Sequence, residues 1–287
     1  MKKIAVIINP KAGSNNKKFL QKLIRKLSDS NQVTLFETKG PEDATEISKR
    51  ECNNFNIIAV AGGDGTIHEV INGINNFTPL AIIPMGTANI IAIEAGIAQD
   101  VTSICNAINQ GITRKAYIHQ INKKKFILMA GMGYDAKVVE NINPKLKKIF
   151  GKFIFVWESF KQFFHLQQFN ITVKANHNSY DANWVLITNA THYAGNHKIT
   201  NQTSIFEPDL VCFLFPNLTK LDFIYNLFLI IFFGNLSRSD KIISFKSSSI
   251  EVLSTTETPV QCDGEIFDKV PTFIQSNNEY VQLIVHS

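Results

Sequence analysis

The run Gly62-Gly63-Asp64-Gly65-Thr66 decides how this chain is read. An unbroken apolar stretch, Ile57–Ala61, stands before it, and apolar residues at helical spacing, Ile67, Val70, Ile71 and Ile74, stand after it. A buried strand that ends in glycines and passes into an amphipathic helix is the repeating unit of a doubly wound parallel sheet, whose ligands sit at the carboxyl ends of the strands. Three glycines in four residues permit positive φ and let the backbone approach a ligand closely. The helix that follows offers free N–H groups and a positive dipole end, which suits a phosphate. Asp64 carries the one charge of the turn. A carboxylate aimed at phosphates requires a cation between them, so Mg²⁺ is expected there. The same residues also read as a tight turn in which Thr66 and Glu69 form an S/T-x-x-E capping box, and the two roles are compatible.

Outward from this run, the first hundred residues repeat the pattern. Lys3–Ile8 is a strand without alternation, as expected when both faces are covered. Phe19, Leu20, Leu23, Ile24 and Leu27 follow at helical spacing, then a strand over Gln32–Glu37 and a helix over Glu42–Arg50 behind Pro41. Leu80–Ile83 is a further strand, and Ala88–Ala95 a helix stopped by Gly96. Two more polar turns fall at strand ends: Asn9-Pro10-Lys11-Ala12-Gly13-Ser14 and Pro84-Met85-Gly86-Thr87-Ala88-Asn89. In the second, Thr87 and Asn89 offer neutral donors beside Gly86. No G-x-x-x-x-G-K-[ST] is present, and no G-x-G-x-x-G follows the first strand, so neither an ordinary P-loop nor a standard dinucleotide site is indicated.

After about residue 112 the chain changes style. Tyr117–Gln120, Lys125–Gly131, Phe169–Ala175, Tyr180–Ala190, Leu210–Phe215, Ile242–Leu253 and Val260–Asp263 read as strands joined by loops, which predicts a β-sandwich. One long helix is expected from Asn143-Pro144 onward, with Leu146, Ile149, Phe150, Phe153, Trp157, Phe160 and Phe164 as its apolar stripe. Its Lys145, Lys147, Lys148 and Lys152 read as a solvated face or as a contact for anionic headgroups. The division is residues 1–115 as an α/β domain, to which a last strand within 278–287 returns, and 116–277 as the β-sandwich. Phe223–Phe233 is the longest apolar stretch. At eleven residues it is too short to span a bilayer and reads as a buried or interfacial helix.

Within the second domain, Asp263-Gly264-Glu265 places two carboxylates around a glycine. Phosphoryl transfer to an alcohol needs a group that orients the hydroxyl and accepts its proton, and Asp263 and Glu265 could divide the work. An Asp-Gly hairpin turn is the plainer reading of the same segment. A base from this domain would put chemistry in a cleft between the two domains. His192 and His197 flank Tyr193-Ala194-Gly195 without suggesting a third metal ligand.

Composition sets outer bounds. A chain of 287 residues with 45% hydrophobic content can bury a large core, and its net charge of +5 is spread without a basic block. Nucleic acid is therefore not an expected partner, whereas phosphates or an anionic membrane surface are. Cys52, Cys105, Cys212 and Cys262 are far apart and form no C-x-x-C, as in free thiols of a reducing cytosol. The short run Ile4–Ile8 is no signal peptide. The expectation is a cytoplasmic protein, peripheral at the inner face of the membrane, with a homodimer left open.

Taken in order, these segments resemble the diacylglycerol kinase catalytic-domain family, which includes bacterial diacylglycerol kinases and sphingosine kinases. The resemblance runs through Asn9 to Gly13, Glu37-Thr38 with Gly40 to Ala44, Gly62 to Gly73, Pro84 to Asn89, Ala130 to Ala136, Asn189-Ala190 with Tyr193 to Gly195, and Gln261 with Asp263 to Glu265. It implies a nucleotide-binding α/β domain like those of NAD kinases and phosphofructokinases, followed by a β-sandwich that takes the lipid. It implies a lipid kinase using ATP and Mg²⁺. Asn9, Pro10, Lys11, Ala12, Gly13, Thr38, Gly63, Asp64, Gly65, Thr66, Ile67, His68, Glu69 and Thr87 would contact ATP. An acid of the D-G-E turn would be the general base, with Glu265 put ahead of Asp263 and the other joining Asp64 in a metal-linked water network. Two departures stand out. Ile90 occupies a position where many members have Asp. Phe206-Glu207-Pro208-Asp209-Leu210-Val211 keeps only Glu207 and Asp209 of an acidic stretch that can hold a structural Mg²⁺. An NAD-kinase-like phosphotransferase and a non-catalytic nucleotide- or lipid-binding homologue are the alternatives.

Overall fold

The computed structural model describes residues 1–286 except 13–16, 143–157, 159–160, 165–166, 194–195 and 218. The chain forms two units, Met1–Tyr117 with Glu279–Ser287, and Ile118–Asn278. Lys145, Lys147, Lys148, Lys152 and most of the expected long helix lie outside the described residues, as does Gly13.

In the first unit the chain runs β1 (Lys3–Ile8), α1 (Lys17–Ser28), β2 (Gln32–Glu37), α2 (Asp43–Glu51), β3 (Ile57–Gly62), α3 (Asp64–Gly73), β4 (Leu80–Pro84), α4 (Ile90–Glu94) and α5 (Val101–Gln110). The strands pair in parallel in the order β2-β1-β3-β4. The uninterrupted apolar runs explain this: β3 and β4 are buried along their whole length, as strands covered on both faces must be. On one face Ile4, Val6, Ala59 and Ile83 pack with Leu23 and Leu27 of α1 and Ile104 and Ile108 of α5. Helix α5 was not legible as part of the alternation. It starts at Asp100, whose carboxylate accepts from Ser103 N at 2.9 Å, and stops at Gly111 with φ +69°. Helix α4 is shorter than the expected Ala88–Ala95, because Asn89 sits in the left-handed region at φ +51° and only Ile90 onward is helical.

The chain order places the site. From β1 it moves to β2 on one side, then crosses back so that β3 lies on the other side of β1. The turns after β1 and β3 therefore open on the topological switch point, where a doubly wound sheet leaves a crevice for a ligand.

The strand β5 (Thr113–Ile121) enters the second unit, followed by β6 (Lys124–Phe126), β7 (Met129–Met132), α6 (Tyr134–Glu140), β8 (Ile171–Ala175), β9 (Asn178–Ala182), β10 (Trp184–Thr188), the short pair β11 (His192–Tyr193) and β12 (His197–Lys198), and β13 (Leu210–Phe215). Helix α7 (Lys220–Phe233), β14 (Ile243–Ser247), β15 (Ser249–Ser254), β16 (Pro259–Cys262), β17 (Glu265–Lys269) and β18 (Thr272–Ile284) complete the chain. One antiparallel sheet has the order β14-β13-β10-β7-β16-β17, and β15 pairs antiparallel with β8 and with the first half of β18. Phe169, Val173, Ile250, Val252 and Ile274 meet Val185, Ile187, Cys212, Leu214 and Val260 in one core, so this unit is a β-sandwich with an N-terminal α/β unit before it. Three stretches that read as single strands are pairs: Lys125–Gly131 is β6 and β7, Tyr180–Ala190 holds β9 and β10, and Ile242–Leu253 holds β14 and β15. All four cysteines are buried free thiols.

Candidate functional site

Two glycine-bearing turns of the first unit are pressed together. A Cβ on Gly63 would lie 3.1 Å from Gly86 Cα, and a Cβ on Gly86 would lie 2.5 Å from Gly63 Cα and 2.8 Å from Asn89 Oδ1. The glycines are needed for this approach and not for positive φ: Gly63 is extended (φ −94°, ψ −177°), and neither Gly62 nor Gly86 enters the left-handed region. That corrects the conformational half of the expectation. Asn89 takes the left-handed conformation instead, accepting from Gly86 N at 2.8 Å and donating to Gly86 O at 2.9 Å. The second turn is thus closed by its own asparagine, whose side chain had read as a free donor.

The capping-box reading of Thr66 and Glu69 does not hold. Helix α3 begins at Asp64, its N-cap is Gly63, and no side chain caps that end. Thr66 is inside the first turn, where its hydroxyl accepts from Asn9 Nδ2 at 3.0 Å. Glu69 reaches the neighbouring helix: its Oε2 accepts from Ala44 N at 3.2 Å, and its carbonyl accepts from Thr45 Oγ1 at 2.9 Å. The N–H groups of the first turn of α3 therefore face the crevice without a side-chain cap, the arrangement that binds phosphate.

Around this turn the other sequence-predicted residues fall as follows. Asn9 also accepts from Lys11 N at 3.0 Å, and its own N–H donates to Ala61 O at 3.1 Å, so the turn after β1 is tied to the end of β3. Thr38 N donates to Ile8 O at 2.9 Å at the same edge. Pro10, Lys11, Gly65 and Thr87 are exposed. Ile67 is fully buried and its N–H already donates to Gly63 O at 3.1 Å, while His68 is half-buried. Asp64 Oδ1 accepts from Ile91 N at 3.1 Å, across from Ile90. Asp64 fits Mg²⁺ in the usual way for that ion, one carboxylate supplementing phosphate oxygens and water. Among the described residues no group of three or more His, Cys, Asp or Glu gathers to hold a metal without such help. Glu207 and Asp209 stand 3.9 Å and 3.5 Å from Lys246 Nζ, so a lysine ammonium already faces both acids.

In the second unit the D-G-E segment is a two-residue hairpin turn joining β16 to β17, with Cys262 opposite Glu265. Asp263 (φ +48°) and Gly264 (φ +83°) both take the left-handed conformation that such a turn demands. Its two acids have different surroundings. The Asp263 carboxylate accepts from three successive backbone N–H groups, Ile127 at 3.0 Å, Leu128 at 3.0 Å and Met129 at 2.9 Å. Glu265 is exposed. Behind the hairpin lies a buried network that sequence reading did not find. Gln261 Oε1 accepts from Gly264 N at 2.9 Å, Gln261 Nε2 donates to Asp135 Oδ2 at 2.6 Å, and Tyr193 Oη donates to Asp135 Oδ1. Burial pushes the Asp135 carboxyl up, against the lowering effect of these two donors, and burial beside Asp135 pushes the Tyr193 phenol up. Gly131 leaves the room, since a Cβ there would fall 1.9 Å from Asp135 Oδ2. The ring of His119 is buried near Asp263, and desolvation lowers its pKa to about 4. With the Asn189 amide oxygen turned toward it, His119 Nε2 donates at 3.0 Å while Asn189 Nδ2 donates to Ser204 O and Glu207 O.

The pattern of the Diacylglycerol kinase catalytic domain family matches residues 3–121, and that of the YegS C-terminal NAD kinase beta sandwich-like domain matches residues 129–285. The chain belongs to the diacylglycerol kinase catalytic-domain family. It is thereby a kinase. A curated relative named diacylglycerol kinase, from Staphylococcus aureus (strain bovine RF122 / ET3-1), is 28% identical over 282 residues, 94% of this chain and 88% of the relative. The crystal structure of a diacylglycerol kinase from Bacillus anthracis str. Sterne shares the fold at a TM-score of 0.82 and 23% identity, covering 99% of this chain and 97% of that one. An NAD kinase from Archaeoglobus fulgidus, solved in complex with ATP, has a TM-score of 0.57 at 12% identity, covering 99% and 94%. The diacylglycerol kinase relatives thus extend along both units, and the likeness to the NAD kinase is one of fold.

Proposed function

We propose that this kinase transfers the γ-phosphate of ATP to the hydroxyl of a membrane lipid of the diacylglycerol or sphingoid type. The observation that carries this reading is the uncapped first turn of α3, set against Gly86 at the switch point with Asp64 beside it. The first unit holds the nucleotide: backbone N–H groups of the Gly63–Thr66 turn take phosphate oxygens, and Asn9 keeps the turn in place through Thr66. Asp64 would hold Mg²⁺, which would supply charge neutralisation to the phosphates. The second unit supplies the base. With Asp263 engaged by three N–H groups, Glu265 is the acid of the hairpin left to accept the proton of the lipid hydroxyl. The hydroxyl oxygen forms the new bond to phosphorus, the bridging P–O bond breaks, and its electron pair leaves with ADP. Pro10, Lys11 and Thr87, exposed around the nucleotide turn, are proposed as further contacts, and the protein acts from the cytoplasm.

Purified protein with Mg-ATP should phosphorylate at least one member of a panel of diacylglycerol, sphingoid bases, phosphatidylglycerol and polyprenols, read by mass spectrometry. Folded protein that binds ATP and yields no phospholipid product would sink this reading in favour of a non-catalytic homologue. NADP formation from NAD would decide instead for an NAD-kinase-like reaction.

A further inference from the structure

Helix α7 is built inside out for a protein in water. A surface helix normally turns its apolar stripe inward and its polar residues outward. Here the inward positions include Asp222, 7% exposed, and Asn226, 5% exposed, together with Leu229. The outward positions, at spacings of three and four, are Leu221 (77% exposed), Ile224, Tyr225, Phe228 and Phe232 (68% exposed), with Phe233 at the end. Three of the rings adjoin: Phe228 lies 4.6 Å from Phe232 and 6.0 Å from Phe233, centroid to centroid. Exposed Phe164 stands near the start of the helix, its ring 5.4 Å from that of Phe163, which in turn is 5.4 Å from that of half-buried Phe223.

The helix is firmly seated in this orientation. Thr219 and Asp222 form a reciprocal capping box, Asp222 pairs with Lys241, and Gly234 at φ +59° closes the other end on Ile230 O at 3.1 Å. Asp222 thus has structural work on the inner face, and the outer residues are what the fold leaves facing out. Cations ring the patch. Lys220 Nζ lies 5.9 Å and 5.8 Å from the Phe163 and Phe164 rings, Arg238 lies 5.0 Å from Phe233, and Lys241 lies 6.0 Å from Tyr225. The acids between residues 219 and 241 are Asp222, turned inward, and Asp240.

We infer that the outer face of α7 inserts into the surface of an anionic lipid bilayer. Large apolar and aromatic side chains fringed by Lys and Arg are the signature of a helix lying in the plane of a membrane interface, the rings entering the acyl boundary and the cations meeting anionic headgroups. The 14-residue helix spans roughly 21 Å, short of the roughly 30 Å hydrocarbon core, so it lies on the bilayer and does not cross it. Among the described residues no helix is long and apolar enough to cross a membrane. Charge argues against a second copy of the chain as the occupant, since a self-complementary dimer over this patch would bring Lys220 and Arg238 of each copy near those of the other. The inference deepens the lipid-kinase reading by naming where the enzyme meets the lipid phase.

Sedimentation with vesicles, without nucleotide, tests it. The protein should bind vesicles containing phosphatidylglycerol and bind pure phosphatidylcholine vesicles at least tenfold more weakly. Phe228→Glu with Phe232→Glu should lower binding at least tenfold while the thermal midpoint and far-ultraviolet dichroism stay unchanged. Lys220→Gln with Arg238→Gln should remove most of the preference for anionic lipid. Equal vesicle binding by the wild type and the double-Glu variant would overturn the proposal. So would a concentration-dependent dimer, seen by light scattering, that the double-Glu variant abolishes. A water-soluble short-chain diacylglycerol separates this from the kinase reading. Turnover of that substrate without vesicle binding overturns the docking surface alone, and vesicle binding without turnover of any acceptor overturns the kinase alone.

Discussion

The turn at Gly62–Thr66 and the turn at Asp263–Glu265 solve opposite problems. The first works by omission: glycine backbones touch because no side chain stands between them, and no side chain caps the main-chain N–H donors of the helix start. The second works by addition: a carboxylate spends both its oxygens on three backbone N–H groups so that the next acid stands out from a fixed hairpin. In the first turn a new atom should do the damage. In the second, a missing one should.

The sharpest test of that contrast is Glu265→Gln, which should lower kcat by roughly 10²–10⁴-fold, the usual worth of a general base. Its unfolding free energy in urea should stay within about 0.5 kcal/mol of wild type, as for an exposed residue. Activity near wild type would move the base elsewhere. Asp263→Ala should instead unseat the hairpin, leaving three N–H groups without their acceptor at a cost of about 3–5 kcal/mol in urea unfolding. Asp263→Asn keeps an oxygen and should recover most of that stability, because Oδ1 alone serves both Leu128 and Met129. Acid should then act on the second unit through His119. Its folded pKa of about 4 lies below the ordinary 6.5, so between these values the unfolded chain binds a proton that the folded chain refuses. Stability from this group is full above pH 6.5 and falls as pH drops toward 4, by up to about 3 kcal/mol. His119→Phe should flatten the slope of stability against pH in that window. Gly86→Ala, which sets a Cβ 2.5 Å from the Gly63 backbone, should cost about 1–3 kcal/mol by thermal unfolding and raise KM for ATP.

What sequence could say about these two turns follows from their construction. The runs Lys3–Ile8, Ile57–Ala61 and Leu80–Ile83 announce themselves because both faces of a parallel strand are apolar, and the polar turns that follow them mark the ligand edge of the sheet; the switch point needed the strand order, which pairing alone reveals. The β-sandwich was legible as strands but not as pairings. The reversal at Ser248 between β14 and β15 carries no glycine or proline, and β17, Glu265–Lys269, is too charged and exposed to read as a strand. That Asp263 is structural and Glu265 exposed depends on where Ile127, Leu128 and Met129 end up, more than 130 residues earlier in the chain. The Asp135, Tyr193 and Gln261 network is equally non-local, its members 58 and 126 positions apart. Composition likewise flagged Phe223–Phe233 as apolar without telling which face turns outward; Asp222 and Asn226, the residues a pattern search places outside, are the ones held in.

The last strand has a consequence for how the protein is made. Residues 279–287 belong to the first unit, where Leu283 pairs with Leu80, Val285 N donates to Ile112 O at 3.0 Å, and Ala98 N donates to His286 Nε2 at 3.1 Å. The sheet that begins with the earliest residues to leave the ribosome is finished by the latest. While the intervening 160 or so residues are being translated, roughly 10–30 s at ordinary elongation rates, β4 waits with an open edge. During that interval the nascent chain exposes Leu80–Ile83 to mispairing. Synthesis of this enzyme therefore carries a window in which chaperones have a defined strand to guard.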